Sequence, residues 1–176
     1  VAEATVGEDN YYRLMLMNST PMAGGETLFA LEANRYDGPW SDIEEDLNKL
    51  NLLLKHTIPL NGGNLSLSLM AYDNSWNSAD QIPGRAVEQG IIDELGSLDD
   101  TVGGESSRYS LSANWQVGGW QGSAYAIDYD LNLWSNFTYF LDDENSGDQF
   151  KQVDDRMIYG GQLSYSQDGT LAGHAM

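Results

Sequence analysis

The sequence predicts an all-β protein, an antiparallel up-and-down transmembrane β-barrel segment with long extracellular loops, and three observations predict it. Segments such as LSLSLMAY (Leu65–Tyr72) and YSLSANWQV (Tyr109–Val117) alternate apolar and polar residues strictly, the period of two of a strand with one buried and one wet face. Glycines punctuate their ends. Short connections also alternate along the chain with long acidic ones, which puts the tight turns at one end of the sheet and the long loops at the other. That is the layout of an outer-membrane barrel.

The strands follow in order. YYRLMLMN, from Tyr11, is the first and has a blurred face because Met15 and Met17 add apolar groups to both sides. ETLFALEANRY sets Phe29, Leu31 and Ala33 against Glu32 and Asn34. LNLLLKHTI, from Leu50, is again blurred, here by Leu53. In LSLSLMAY, Leu65, Leu67, Leu69 and Ala71 oppose Ser66, Ser68, Met70 and Tyr72. In YSLSANWQV, Tyr109, Leu111, Ala113, Trp115 and Val117 oppose Ser110, Ser112, Asn114 and Gln116. The next strand sets Tyr125, Ile127, Tyr129, Leu131 and Leu133 against Ala126, Asp128, Asp130 and Asn132, and its pattern runs from Trp120 to about Leu141. MIYGGQLSY continues with Met157, Tyr159, Leu163 and Tyr165 on one face. LAGHAM reads as the start of a further strand, which together with the start at Val1 predicts a piece of a longer protein.

Gly24-Gly25, Asn61-Gly62-Gly63-Asn64, Gly118-Gly119 and Asp168-Gly169 supply the positive φ of tight hairpin turns. The long acidic connections are predicted over Asp37–Glu45, Asp73–Ser107 and Asp142–Asp155. Within the middle one, Val87, Ile91 and Leu95 fall at i, i+4 and i+8 behind Pro83, which predicts a short helix ending near Gly96. Alternation alone also fits a soluble β-sandwich with one wet face per sheet. The Ser/Asn/Gln/Asp composition of the polar face, the Tyr and Trp near strand ends and the length of the strands favour the barrel.

Composition narrows the function. Among 176 residues, 8 basic against 27 acidic side chains give a net charge of -19, which repels nucleic acid. The chain has no Cys, which removes thiolate and disulfide chemistry. His56 and His174 are isolated, so no zinc site is predicted. DDENSGDQF places Asp142, Glu144, Ser146 and Gly147 in step with a calcium loop, but the twelfth position is Val153, where a bidentate carboxylate is required. Asp128 and Asp130 lack a nucleophile or companion base. Neither catalytic residues nor a metal or other cofactor are predicted. The glycosylation-type triplets at Asn18, Asn64 and Asn136 are set aside because they fall in turns and strands.

The stretch ADQIPGRAVEQGIIDELGSLDDTVGGESSRYSLSANW, Ala79–Trp115, resembles a loop-and-strand segment of TonB-dependent outer-membrane receptors, and NRYDGPW, Asn34–Trp40, resembles the preceding loop tip. The likeness spans roughly Tyr11 to Tyr165 and is most specific from Gln81 to Trp115. Such receptors have a barrel of about 22 strands closed by a plug, and import scarce ligands with energy delivered through TonB. The resemblance implies that residues 1–176 are a partial barrel domain without the plug, located in the outer membrane of a Gram-negative bacterium. Its implied partners are outer-membrane lipid, the TonB complex through the plug region, and a small ligand: a siderophore, vitamin, metal chelate or oligosaccharide. Candidate ligand contacts on the external loops are Asp37, Trp40, Asp80, Arg85, Glu88, Asp93, Asp142, Asp143 and Asp148, while Asp128, Asp130 and Asn132 are expected to face the lumen. A passive porin or structural barrel, and a soluble secreted carbohydrate-binding β-domain, are the alternative functions.

Overall fold

In the computed structural model the strand pattern becomes one antiparallel meander. The structure describes residues 1–145, 147–167, 170–171 and 174–175. The strands are β1 (Ala2–Val6), β2 (Tyr12–Met22), β3 (Gly25–Tyr36), β4 (Leu47–Leu60), β5 (Gly63–Asn77), β6 (Gly103–Val117), β7 (Trp120–Ser135) and β8 (Phe150–Tyr165). They form a single sheet in chain order, and β1 and β8 are its two open edges, so the sheet is not closed as a barrel. A small separate two-stranded sheet pairs β9 (Thr170–Leu171) with β10 (His174–Ala175), antiparallel. Among the described residues the one helix, α1, covers only Gly84–Glu88. The predicted turn at Asp168-Gly169 lies outside the described residues, as does Ser146.

The tight turns are two residues long. Ala23 and Gly24 both have positive φ, 52° and 78°, the backbone of a turn whose twist matches that of a hairpin. Asn61-Gly62 and Gly118-Gly119 close the next two hairpins at the same end. Residues 7–11, 37–46, 78–102 and 136–149 connect the strands at the other end. β1 has no counterpart among the predicted strands. It is a short edge strand in which every residue is exposed. β7 stops at Ser135 rather than near Leu141, because Asn136 turns away to bond the middle loop. β5 and β6 reach further than expected, which shortens the middle connection to residues 78–102.

Register sorts the side chains into two faces. Leu54 pairs with Phe29 and with Leu69, Leu69 with Leu111, and Leu111 with Ala126, which in turn pairs with Tyr159. Because directly opposed residues point to the same side, these positions and their i±2 neighbours form one leucine-rich face across the strands. The opposite, polar face carries Arg13, Glu32, Lys49, Lys55, Ser68, Ser112, Arg108 and Arg156. It is hollowed by a cavity of about 500 Å³ lined from β2 to β7, with Met15, Leu53, Tyr72, Arg108 and Tyr129 in its walls. Arg13 binds Glu3 and Glu32 there at 2.9 and 3.3 Å.

β7 departs from the expected assignment. Tyr125, Ile127 and Tyr129 pair with Ser112, Ser110 and Arg108, which places them on the polar face. Asp128 instead opposes Tyr109 and Met157, so Asp128, Asp130 and Asn132 share the side of the leucines rather than that of Ser112. The physical reason is register, since neighbouring pairs fix the side and β7's own apolarity does not. These three residues lie in the loop-proximal half of the strand. With Asp73, Glu105 and Asp155 they make an acidic row above the apolar band.

Large side chains are laid across glycines on paired strands. Trp76 covers Gly104, Trp115 covers Gly122 and Tyr125 covers Gly160, each directly opposite in the ladder. A Cβ on Gly122 would run into the Trp115 ring. The missing side chain is thus the space the ring fills.

Candidate functional site

The candidate site is the loop end. The three long loops carry five, six and four acidic residues in turn, against Arg85 as their single base. The structure packs them against one another. Ser41 donates through Oγ to Asp93 at 2.6 Å and through its amide to the Leu95 carbonyl at 3.1 Å, joining the first loop to the middle one. The amide of Asn77 reaches the Glu45 carbonyl at 2.6 Å. Between the middle and last loops, Asn136 donates its amide to Asp80 at 2.6 Å and its side-chain NH₂ to Asp99 at 2.7 Å. Gln149 adds bonds to Asp99 and Thr101.

Two aromatic and amide side chains form the centre of this contact. Asn136 and Tyr139 are both buried, at 4% and 8% exposure. The Tyr139 hydroxyl donates to the Gln81 carbonyl at 2.7 Å, and its amide donates to Asn136 Oδ1 at 2.8 Å. Burial raises the Tyr139 hydroxyl pKa, with the charges of Asp80 and Asp99 adding to it. Burial also opposes ionisation of Asp99, but hydrogen bonds from Asn136, Thr101 and Gln149 outweigh it and hold the carboxyl below its ordinary range.

The predicted helix is reduced to one turn. α1 starts after Pro83 and ends at a Schellman cap in which Gly90 has φ 68° and donates to Val87, while Ile91 donates to Ala86. Gly90, rather than Gly96, is therefore the stop, and Ile91 and Leu95 are exposed instead of forming a buried stripe. The residues after the cap turn back along the first loop through Asp93 and Leu95.

Most predicted contact residues already have partners inside the loops. Asp37 accepts from Asn10 at 2.6 Å, and Asp80 and Asp93 hold Asn136 and Ser41. Trp40 hydrogen-bonds Glu45, whose carboxyl is raised by burial against the pull of that bond. Asp148 takes the amides of Leu141, Asp142 and Asp143 at 2.8 to 3.2 Å. The Thr138 hydroxyl and these amides hold its carboxyl below the usual range. Asp143 accepts from the Asn145 amide at 2.9 Å. Arg85 and Glu88 are exposed on α1, and Asp142 is exposed on the last loop. Among the described residues no group of His, Asp and Glu is arranged to hold a metal ion.

Composition did not point to the cavity that these clamps create. Between the middle and last loops lies a space of about 670 Å³, walled by Ile82, Ile91, Leu98, Phe137 and Phe140 and by Arg85. Its signal in the sequence is the apolar run of NFTYFL directly after a strand that already has its full length, an apolar segment with no strand left to occupy. No known protein family, curated protein or solved structure matches the chain.

Proposed function

We propose that the chain is part of the wall of an outer-membrane barrel of the TonB-dependent receptor type, which takes up a scarce small ligand at its long loops. The observation that carries this reading is the one-sided apolar band. On β4 it runs from Leu50 to Leu60, interrupted by His56, which bonds Thr27 of β3, and covers roughly 25 Å of height at about 3.3 Å per residue and the tilt of about 40° that barrel strands adopt. The outward apolar belt of such barrels is about 25 Å tall. Val6, Leu14, Phe29, Leu54, Leu67, Leu111, Tyr159 and Leu163 are all exposed on this face. Soluble surfaces rarely leave apolar patches beyond a few hundred Å² open. Trp120 and Tyr165 lie in tilted contact, their rings 4.8 Å apart, at the turn end of the band, the position of an interfacial girdle. The acidic row borders the band on its loop side, where Asp73 pairs with Leu50 and Asp128 with Met157.

Lipid covers the leucine face, the face that carries Arg13, Ser68, Arg108 and Ser112 turns to the interior, and the loops meet the medium. Energised import follows from the resemblance of Ala79–Trp115. The test uses cells that express the protein, with single cysteines at Asp93, Asp142 and Gly62 and a membrane-impermeant maleimide. Labelling at the first two and not at Gly62 is expected, and labelling at Gly62 alone inverts the topology. Uptake that persists without TonB would make the barrel a passive pore.

A further inference from the structure

Lipid contact accounts for the exposed apolar residues of the strands but not for those of the loops. Ile91, Leu98, Phe137, Phe140 and Leu141 are exposed, and they stand beyond the strand ends, separated from the leucine band by the acidic row. They converge on the cavity of about 670 Å³, within the range of about 300 to 1,000 Å³ common to small-molecule sites. The walls are fixed without a ligand. Tyr139 is locked to Gln81 and Asn136, and Asn136 to Asp80 and Asp99, so the rings of Phe137 and Phe140 are carried on a buried polar frame. A site held in its binding shape spends little ordering entropy when the ligand arrives.

Arg85 sets the charge of the ligand. It lines the same cavity, and among the described residues no salt bridge engages it, although it is the only base among the acids of the three loops. A guanidinium is charged at every working pH and presents a planar fork that fits a carboxylate. The neighbouring acids repel a polyanion, whereas a single negative charge on an apolar body meets both the Arg and the rings. We propose that this cavity binds a small aromatic organic monoanion, with the ring against Phe137 and Phe140 and the carboxylate on Arg85. The assignment rests on the proposed function for the access of this loop end to the medium, and it narrows the ligand class.

The test is equilibrium dialysis of the full chain in lipid nanodiscs against 2-naphthoate and against neutral 2-naphthalenemethanol, with protein-free nanodiscs as the partition control. Saturable binding of one naphthoate per chain, about tenfold tighter than the alcohol, is expected from one charge-assisted contact. Arg85→Gln should remove that preference while the alcohol still binds, and Phe137→Ala combined with Phe140→Ala should weaken both probes. These side chains are exposed, so the variants keep the sheet, which circular dichroism checks. Equal affinities for the two probes, naphthoate binding unaffected by Arg85→Gln, or no saturable binding would each overturn the assignment. Naphthoate binding to purified protein whose cells show no TonB-dependent uptake would leave the cavity assignment standing and overturn the transport reading.

Discussion

Asp148 orders a loop by accepting from backbone amides, a role that its place in an acidic segment conceals. Its two oxygens gather the amides of three successive residues, Leu141 to Asp143. Each bond favours the ionised form, and the folded-state pKa lies below the ordinary value. The sign follows from linkage. The ordering is fully present above the unfolded pKa of about 3.9 and is lost as pH falls through the lower folded value. Hydrogen exchange at the amides of Leu141, Asp142 and Asp143 should therefore lose protection across that acid window, and Asp148→Asn should flatten the profile. Constant protection in the native chain, or the same fall in the variant, would show that other contacts hold the loop. Charge and position alone single out Asp37, Asp80, Asp93 and Asp148 as ligand contacts. A sequence displays the acceptor but not the N–H that folding brings to it.

Within single elements, period-two patterns located the strands well, while β7 shows what they leave open. Its apolar residues Tyr125, Ile127 and Tyr129 sit on the polar face, Tyr129 in the wall of the hollow, and Ala124, between Ala113 and Gly161 in the ladder, belongs to the band. In lipid vesicles, Ala124→Arg should destabilise the fold by about 2 to 4 kcal/mol if that position is near the midplane. Ile127→Arg should cost about 1 kcal/mol or less, because its new charge stands beside Ser110 on the polar face. Urea titration of both variants measures the difference, and a larger loss at Ile127 would reverse the assignment of faces. The helix teaches a related lesson. Val87, Ile91 and Leu95 have helical spacing, yet Gly90 adopts the left-handed conformation that closes α1 after one turn. Spacing proposes a stripe, and a glycine inside it decides how far the helix runs.

On the scale of the whole molecule, the sheet has one unpartnered apolar face and two open edges, β1 and β8. In water the leucines keep their hydration cost, and the edge N–H and C=O groups, though solvated, stay open to pairing with another chain. The isolated chain in plain buffer should therefore form large particles by light scattering and resolve to small ones when detergent is added. A monodisperse monomer in buffer alone would mean that the leucine face finds cover within the chain, which would favour the soluble-domain alternative. The loop-end tryptophans bear on that alternative too. Trp76 lies over Gly104, and Lys151 sits 4.7 Å over the Trp134 ring, so a face of each of these two rings is already covered against a sugar.

The sequence by itself determined where the main strands lie, that they are antiparallel neighbours, and that tight turns and long loops segregate to opposite ends. Alternation, glycine turns and connection length are local, and each residue states its share without reference to distant ones. Only the tertiary structure decided which side of each strand joins the common face and which loop residues converge. A period of two gives the contrast between the sides of one strand but not their absolute direction, which the ladder to the neighbouring strand supplies. Asp128 and Ile127 changed faces for that reason. Asn136, Tyr139, Asp99 and Gln81 became one frame because the ends of β5, β6 and β7 bring residues about 40 to 60 positions apart within hydrogen-bonding distance, and no local pattern encodes that meeting.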